Sequence, residues 1–234
     1  MATGKPQDRG EQTREALLAA ASQVFGRDGF HAASTRAIAD AAGVNQALIA
    51  YHFGSKEGLY LALFKDITAS ISLHMQPLLD RLQLEIDDLD PSNSEDRRAC
   101  IEHMDALLQG LTQVFSQRDA GAWVKLVMRE QQDPTPAFDI FYAGTYSQML
   151  ETFTRLVAML TDQAPELQAT RIHALTLMGQ ILVFMVGRAT TSRHLGWEDI
   201  GEAQMNAVHE QVRKNLYAQL GEELGEELGE EVSE

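Results

Sequence analysis

Apolar residues first fall into a helical rhythm at Leu17, Ala21, Val24 and Phe25, spaced i, i+4, i+7 and i+8. One stripe of this kind predicts an amphipathic helix over residues 11–29, with Gly29 as its C-cap and a mobile arm over residues 1–10 before it. A second, shorter set, Ile38, Ala41 and Ala42, follows Ser34 and Thr35, one of which caps the helix. Gly43 supplies a turn. Asn45 caps a third helix, Gln46–His52, with Val44, Ile49 and Phe53 aimed at the core. Gln46, Ala47, Leu48, Ala50, Tyr51 and His52 are left to face outward or sideways. Gly54-Ser55 ends this helix, and Ser55 caps a long one running from Lys56 to about residue 84. Leu59, Leu63, Phe64 and Ile67 form its early apolar face, and Pro77 marks a kink or break. Two short helices joined by a tight glycine turn predict a helix-turn-helix, which lays its second helix in a DNA major groove.

Past the loop Glu85–Ser94 the pattern stays helical, with few β-type alternations. It predicts helices near 95–117, 119–131, 136–161, 166–193 and 198–219, hence an all-α chain. The longest apolar stretch, Ala174–Val186, is interrupted by Thr176 and Gln180. It is too short to span a bilayer and reads as a buried helix, so no membrane partner is expected. On it Ala174, Leu177, Met178, Ile181, Met185 and Arg188 recur at spacings of three and four, beside the small Gly179, Gly187 and Ala189. The segment from Gly221, GEELGEELGEEVSE, repeats every four residues with a glycine in each unit. It reads as a disordered acidic tail over 220–234.

Charge alters this picture less than its total suggests. The net charge of the 234 residues is −15. Residues 1–60 nevertheless balance Lys5, Arg9, Arg14, Arg27, Arg36 and Lys56 against Asp8, Glu11, Glu15, Asp28, Asp40 and Glu57. Phosphate attraction acts over about 10 Å at 0.1 M salt, so the distant acid costs DNA binding less than local acid would. The acidic bulk is still expected to suppress non-specific binding. The single cysteine, Cys100, allows no intramolecular disulfide and suits a reducing compartment. The first fifteen residues carry no apolar signal-peptide core, and a cytoplasmic location is expected. The seven histidines form no metal-ligand spacing, and no nucleophile elbow, P-loop or dinucleotide fingerprint occurs. No enzyme and no cofactor are expected.

Residues 11–64 resemble the N-terminal domain of TetR-family transcriptional regulators. The matching residues are Ala19-Ala20-Ala21, Phe25, Gly29-Phe30, Ser34 to Ala39, Ala42-Gly43-Val44, Tyr51-His52-Phe53, Ser55-Lys56-Glu57 and Leu59. The segment Met128–Tyr142 is similar to the CecR-like subgroup. The resemblance implies a three-helix DNA-binding domain over 1–56 and a larger helical ligand-binding and dimerisation domain over 57–219. It further implies a homodimer whose last two helices form a four-helix bundle. Such a dimer acts mostly as a repressor of transport, efflux or catabolic genes, and a small molecule releases it from a palindromic operator. The competing class is a helical ligand-sequestering or protein-interaction module without DNA binding.

By position in the motif, Thr35 and Arg36 lie at the groove edge, where Arg36 either reads a guanine or pins a phosphate. Gln46 suits the adenine N6/N7 edge, and Ala47 and Leu48 suit thymine methyls. Tyr51, His52 and Lys56 suit phosphates, Lys56 beside the free N–H groups of a helix start. Packing between helices is the competing role for Tyr51 and His52, and core packing for Leu48. The pocket implied by the resemblance draws on Trp123, Met128, Phe138, Phe141, Tyr142, Met149, Phe153 and Met178, adaptable side chains suited to an apolar or amphipathic effector. For any one of them, membership of the core is the competing role.

Overall fold

The computed structural model describes residues 6–116 and 120–220, and these are helical throughout apart from short turns. Eleven α-helices are described: α1 (Pro6–Ala32), α2 (Thr35–Ala42), α3 (Ala47–Phe53), α4 (Lys56–Ile86), α5 (Ser94–Ser116), α6 (Ala120–Gln132), α7 (Pro136–Phe141), α8 (Ser147–Leu160), α9 (Gln168–Val186), α10 (Arg188–Leu195) and α11 (Glu202–Leu220). A π-helical turn, Tyr142–Tyr146, joins α7 to α8. The repetitive tail lies outside the described residues. The chain divides into two compact units. One comprises residues 1–70 and 119–144, the other residues 71–118 and 145–234.

Apolar periodicity builds the first unit. Leu17, Ala21 and Phe25 of α1, Ile38 of α2, Ile49 of α3, and Leu59, Leu63 and Phe64 of α4 are all fully buried. Val44 and Phe53, expected beside them, are only half-buried. Helix α1 starts at Pro6, inside the stretch expected as an arm; the fixed φ and missing N–H of proline suit a first helical position. Gly29 kinks α1 (φ 79°, ψ 168°) without ending it, and the helix runs on to Ala32. Helix α6 packs on α1, and α7 packs on α6.

In the second unit α5 packs against α8, α9 and α11. Its buried stripe runs from Cys100 through Ile101, Met104, Leu108 and Leu111. Pro77 sits inside α4 without breaking it. The helix expected over 136–161 is interrupted where Gly144 leaves helical geometry (φ −85°, ψ −150°). The one expected over 166–193 is split at Gly187.

Helix α9 needs two corrections. Ala174, Leu177, Met178, Ile181 and Met185, expected at a dimer seam, are buried within the chain itself. The apolar residues left exposed are Ile172, Leu175, Val183 and Val186. Period alone did not tell core from surface because this helix is apolar on both faces. An 18-residue window of this 19-residue helix has a mean hydropathy of 1.4, enough by length and composition to cross a bilayer, and 33% of that window is buried. The helix is therefore about one third core, rather than buried all round. Arg188 spends its charge on Asp199.

Candidate nucleic-acid interface

The α2–α3 pair is set by local chemistry at each end. Ser34 Oγ accepts the Ala37 N–H at 3.1 Å and so caps α2. Gly43 closes α2 in the left-handed region (φ 67°, ψ 30°), a geometry that a Cβ would oppose. Asn45 Oδ1 then accepts the Ala47 N–H at 2.8 Å, which makes Asn45 the capping side chain although Gln46 is the residue next to the helix. Ser55 Oγ takes the Gly58 N–H at 2.9 Å and caps α4.

These caps present a polar outer face. Gln46 Nε2 donates to Thr35 Oγ1 at 2.8 Å, tying the starts of α2 and α3 together. The Arg36 side chain is 83% exposed, and its nearest acid is Asp40, one turn on at 3.9 Å. A pair this open and this long contributes little, so Arg36 stays available. Tyr51 is 80% exposed, with its ring edge-on to His52 at 5.0 Å. Gln46, Ala47 and Ala50 are exposed; Thr35, Leu48, His52 and Lys56 are partly so. Lys56 is already engaged. Its Nζ donates to the His31 carbonyl at 3.2 Å, near the end of α1, and lies 4.7 Å from the Phe30 ring centroid.

The residues named for an effector pocket are divided between the two units. Trp123, Met128, Phe138, Phe141 and Tyr142 belong to the first unit, and Met149, Phe153 and Met178 to the second. Phe138 and Tyr142 stack at 5.8 Å, while Met149, Phe153 and Met178 are core residues. The second unit holds a cleft of ≈ 800 Å³ framed by Asp90, Arg97, Arg155, Met159, Asp162 and Pro165. None of the eight named residues lines it. The sequence did not point to this cleft, because its wall joins segments about 70 residues apart.

Burial above all, then the charge of Asp96, pushes the Cys100 thiol up to about 11, far from a reactive thiolate. Among the described residues no cluster of three acids, histidines or cysteines has metal-binding geometry.

Known regulators match this chain along most of its length. Residues 17–63 match the family described as bacterial regulatory proteins, tetR family. Residues 100–222 match the C-terminal domain of the HTH-type transcriptional dual regulator CecR. The HTH-type transcriptional dual regulator CecR of Shigella flexneri is 32% identical over 204 residues, covering 87% of this chain and 89% of its own. The HTH-type transcriptional regulator RutR of Escherichia coli K12 is 29% identical over 61% of this chain and 76% of its own. A putative TetR-family regulator of Mesorhizobium loti has the same fold (TM-score 0.56, 15% identity, 90% of this chain and 97% of that one). The chain thus belongs to the TetR family of helix-turn-helix transcriptional regulators, with a CecR-type C-terminal domain, and is a DNA-binding protein rather than an enzyme.

Proposed function

We propose that the protein works as a cytoplasmic homodimeric repressor, held on a palindromic operator and released by a small apolar or amphipathic molecule. Residues 1–56 act as the reading domain and 57–219 as the ligand-binding and dimerisation domain. Genes of transport, efflux or catabolism are the expected targets. The observation that carries the DNA-reading role is the 80% exposure of Tyr51 on α3 together with the 83% exposure of the Arg36 side chain on α2. A large aromatic left in water and a guanidinium with only a long contact to an acid suit a phosphate and groove edge. In this scheme Gln46 reads an adenine and Arg36 a guanine, contacts worth about 1–3 kcal/mol each in discrimination. Thr35, Tyr51, His52 and Lys56 hold phosphates, while Ala47 and Leu48 meet thymine methyls.

Electrophoretic mobility shift on the DNA upstream of the protein's own gene tests this scheme. Specific retardation is expected, and either Arg36→Ala or Gln46→Ala is expected to weaken it for that DNA alone. Lys56→Ala is expected to weaken binding to all sequences and to flatten the salt dependence by about one unit. If no fragment is retarded at any salt concentration, the chain is a helical ligand-sequestering module instead.

A further inference from the structure

Two side chains of the α2–α3 face are joined to each other. Gln46, immediately before α3, donates from Nε2 to Thr35 Oγ1, at the start of α2, over 2.8 Å. Both ends of this bond rest on held backbone. The Ser34 side chain and carbonyl take the Ala37 and Ile38 N–H groups and fix the first turn of α2. Asn45 Oδ1 takes the Ala47 N–H, and the Gln46 carbonyl takes that of Ile49 at 3.1 Å. Branching at Cβ leaves Thr35 few rotamers within a helix. At the first position of α2 it has no carbonyl one turn back in its own helix to which its hydroxyl could turn. The Thr35 oxygen is therefore a placed acceptor for an otherwise exposed glutamine.

The two ends of a carboxamide read opposite groups. Its oxygen accepts from the amino groups of adenine and cytosine, and its nitrogen donates to the acceptors of guanine and thymine. A free glutamine can present either end, whereas this one is tied by its nitrogen. Nε2 carries two hydrogens, and Thr35 takes one. That leaves one N–H beside Oε1, to which no group donates among the described residues. One acceptor next to one donor matches N6 and N7 of adenine and opposes the paired acceptors of guanine. A phosphate on Thr35 makes the direction of the bond firm. The hydroxyl has a single hydrogen, and once that is given to a phosphate oxygen only lone pairs remain for Gln46. Turning the amide over would then set oxygen against oxygen.

We propose that Thr35 is a positioning residue that fixes which end of the Gln46 amide enters the groove, so that one hydroxyl both holds a phosphate and sets the base that is read. This rests on the DNA-reading roles proposed above for Thr35 and Gln46.

Selection from a randomised duplex library by the full-length chain tests it. Gln46→Ala marks the position that Gln46 reads, as the one whose preference it abolishes. The wild type is expected to select adenine there, with cytosine next. Thr35→Val keeps the shape and removes the hydroxyl. It is expected to lower the preference at that position about tenfold, the scale of one neutral hydrogen bond. Positions read by other residues keep theirs, while the lost phosphate contact weakens binding to all sequences alike. Thr35→Ser restores the hydroxyl and is expected to restore the preference. Purine in place of the selected adenine, which removes only the amino group, is expected to weaken the wild type about tenfold and Thr35→Val far less. The purine duplex also tests the wild type alone, should Thr35→Val fail to fold. Guanine or thymine at the Gln46 position, or a wild type indifferent to the amino group, would overturn the proposal. So would a Thr35→Val chain that binds all sequences more weakly with its adenine preference intact, or one that loses preference at every position. If the wild type enriches no sequence, or Gln46→Ala alters no position, the DNA-reading roles fall first and the proposal falls with them.

Discussion

At the residue scale, Tyr60 carries the most chemistry per atom. Burial first, then the hydrogen bond and charge of Glu130, raise its phenol well above the ordinary value of 10.0. The folded state therefore favours the neutral phenol, while the unfolded chain titrates near 10. Its contribution to stability is complete below about pH 10 and falls as pH rises beyond that, because the unfolded state loses its proton first. Urea unfolding of the wild type and Tyr60→Phe between pH 8 and pH 11 checks this. The wild type is expected to lose its advantage over the variant as pH climbs past 10, and a constant difference would count against it. Residues whose role depends on near neighbours, such as Ser34, Asn45 and Ser55 as caps, were legible in the sequence. Tyr60 and Glu130 were not, because they lie 70 residues apart and no periodicity links them.

Among the elements, two glycines with positive φ separate backbone strain from crowding. Gly43 (φ +67°) has open space where a Cβ would go, whereas Gly29 (φ +79°) has Arg129 Nη1 at 2.4 Å. Gly43→Ala is expected to cost about 1 kcal/mol, the left-handed penalty alone. Gly29→Ala is expected to cost more, about 2–3 kcal/mol, since Arg129 must also leave its place. Thermal unfolding of both variants measures the difference, and equal losses would contradict it. Helix positions followed from apolar period and capping, as in α2 and α3. The breaks at Gly144 and Gly187 did not, because apolar residues continue across both at helical spacing. Gly29 misled in the other direction, since a glycine after a helical stripe reads as a stop.

For the whole molecule, the family and the all-helical class were readable from the N-terminal motif, but the arrangement of its parts was not. The compact units assign residues 119–144 to the same body as the helix-turn-helix, cutting across a division at residue 56. Linear order hides such a body, since it is assembled from two stretches 48 residues apart. In the homodimer proposed above, the exposed apolar stripe of Ile172, Leu175, Val183 and Val186 is the surface expected to meet its twofold copy. Leu175→Glu combined with Val183→Glu is expected to convert a dimer to a monomer in analytical ultracentrifugation without unfolding it. A dimer that survives both charges would place the seam elsewhere. Pairing of two reading heads is the central claim, and hydroxyl-radical footprinting on the retarded upstream DNA tests it most directly. Two protected patches related by a twofold axis and centred about one helical turn apart, roughly 34–36 Å or a little more, are the expected result. One isolated patch, or two whose sequences run in the same direction, would contradict it.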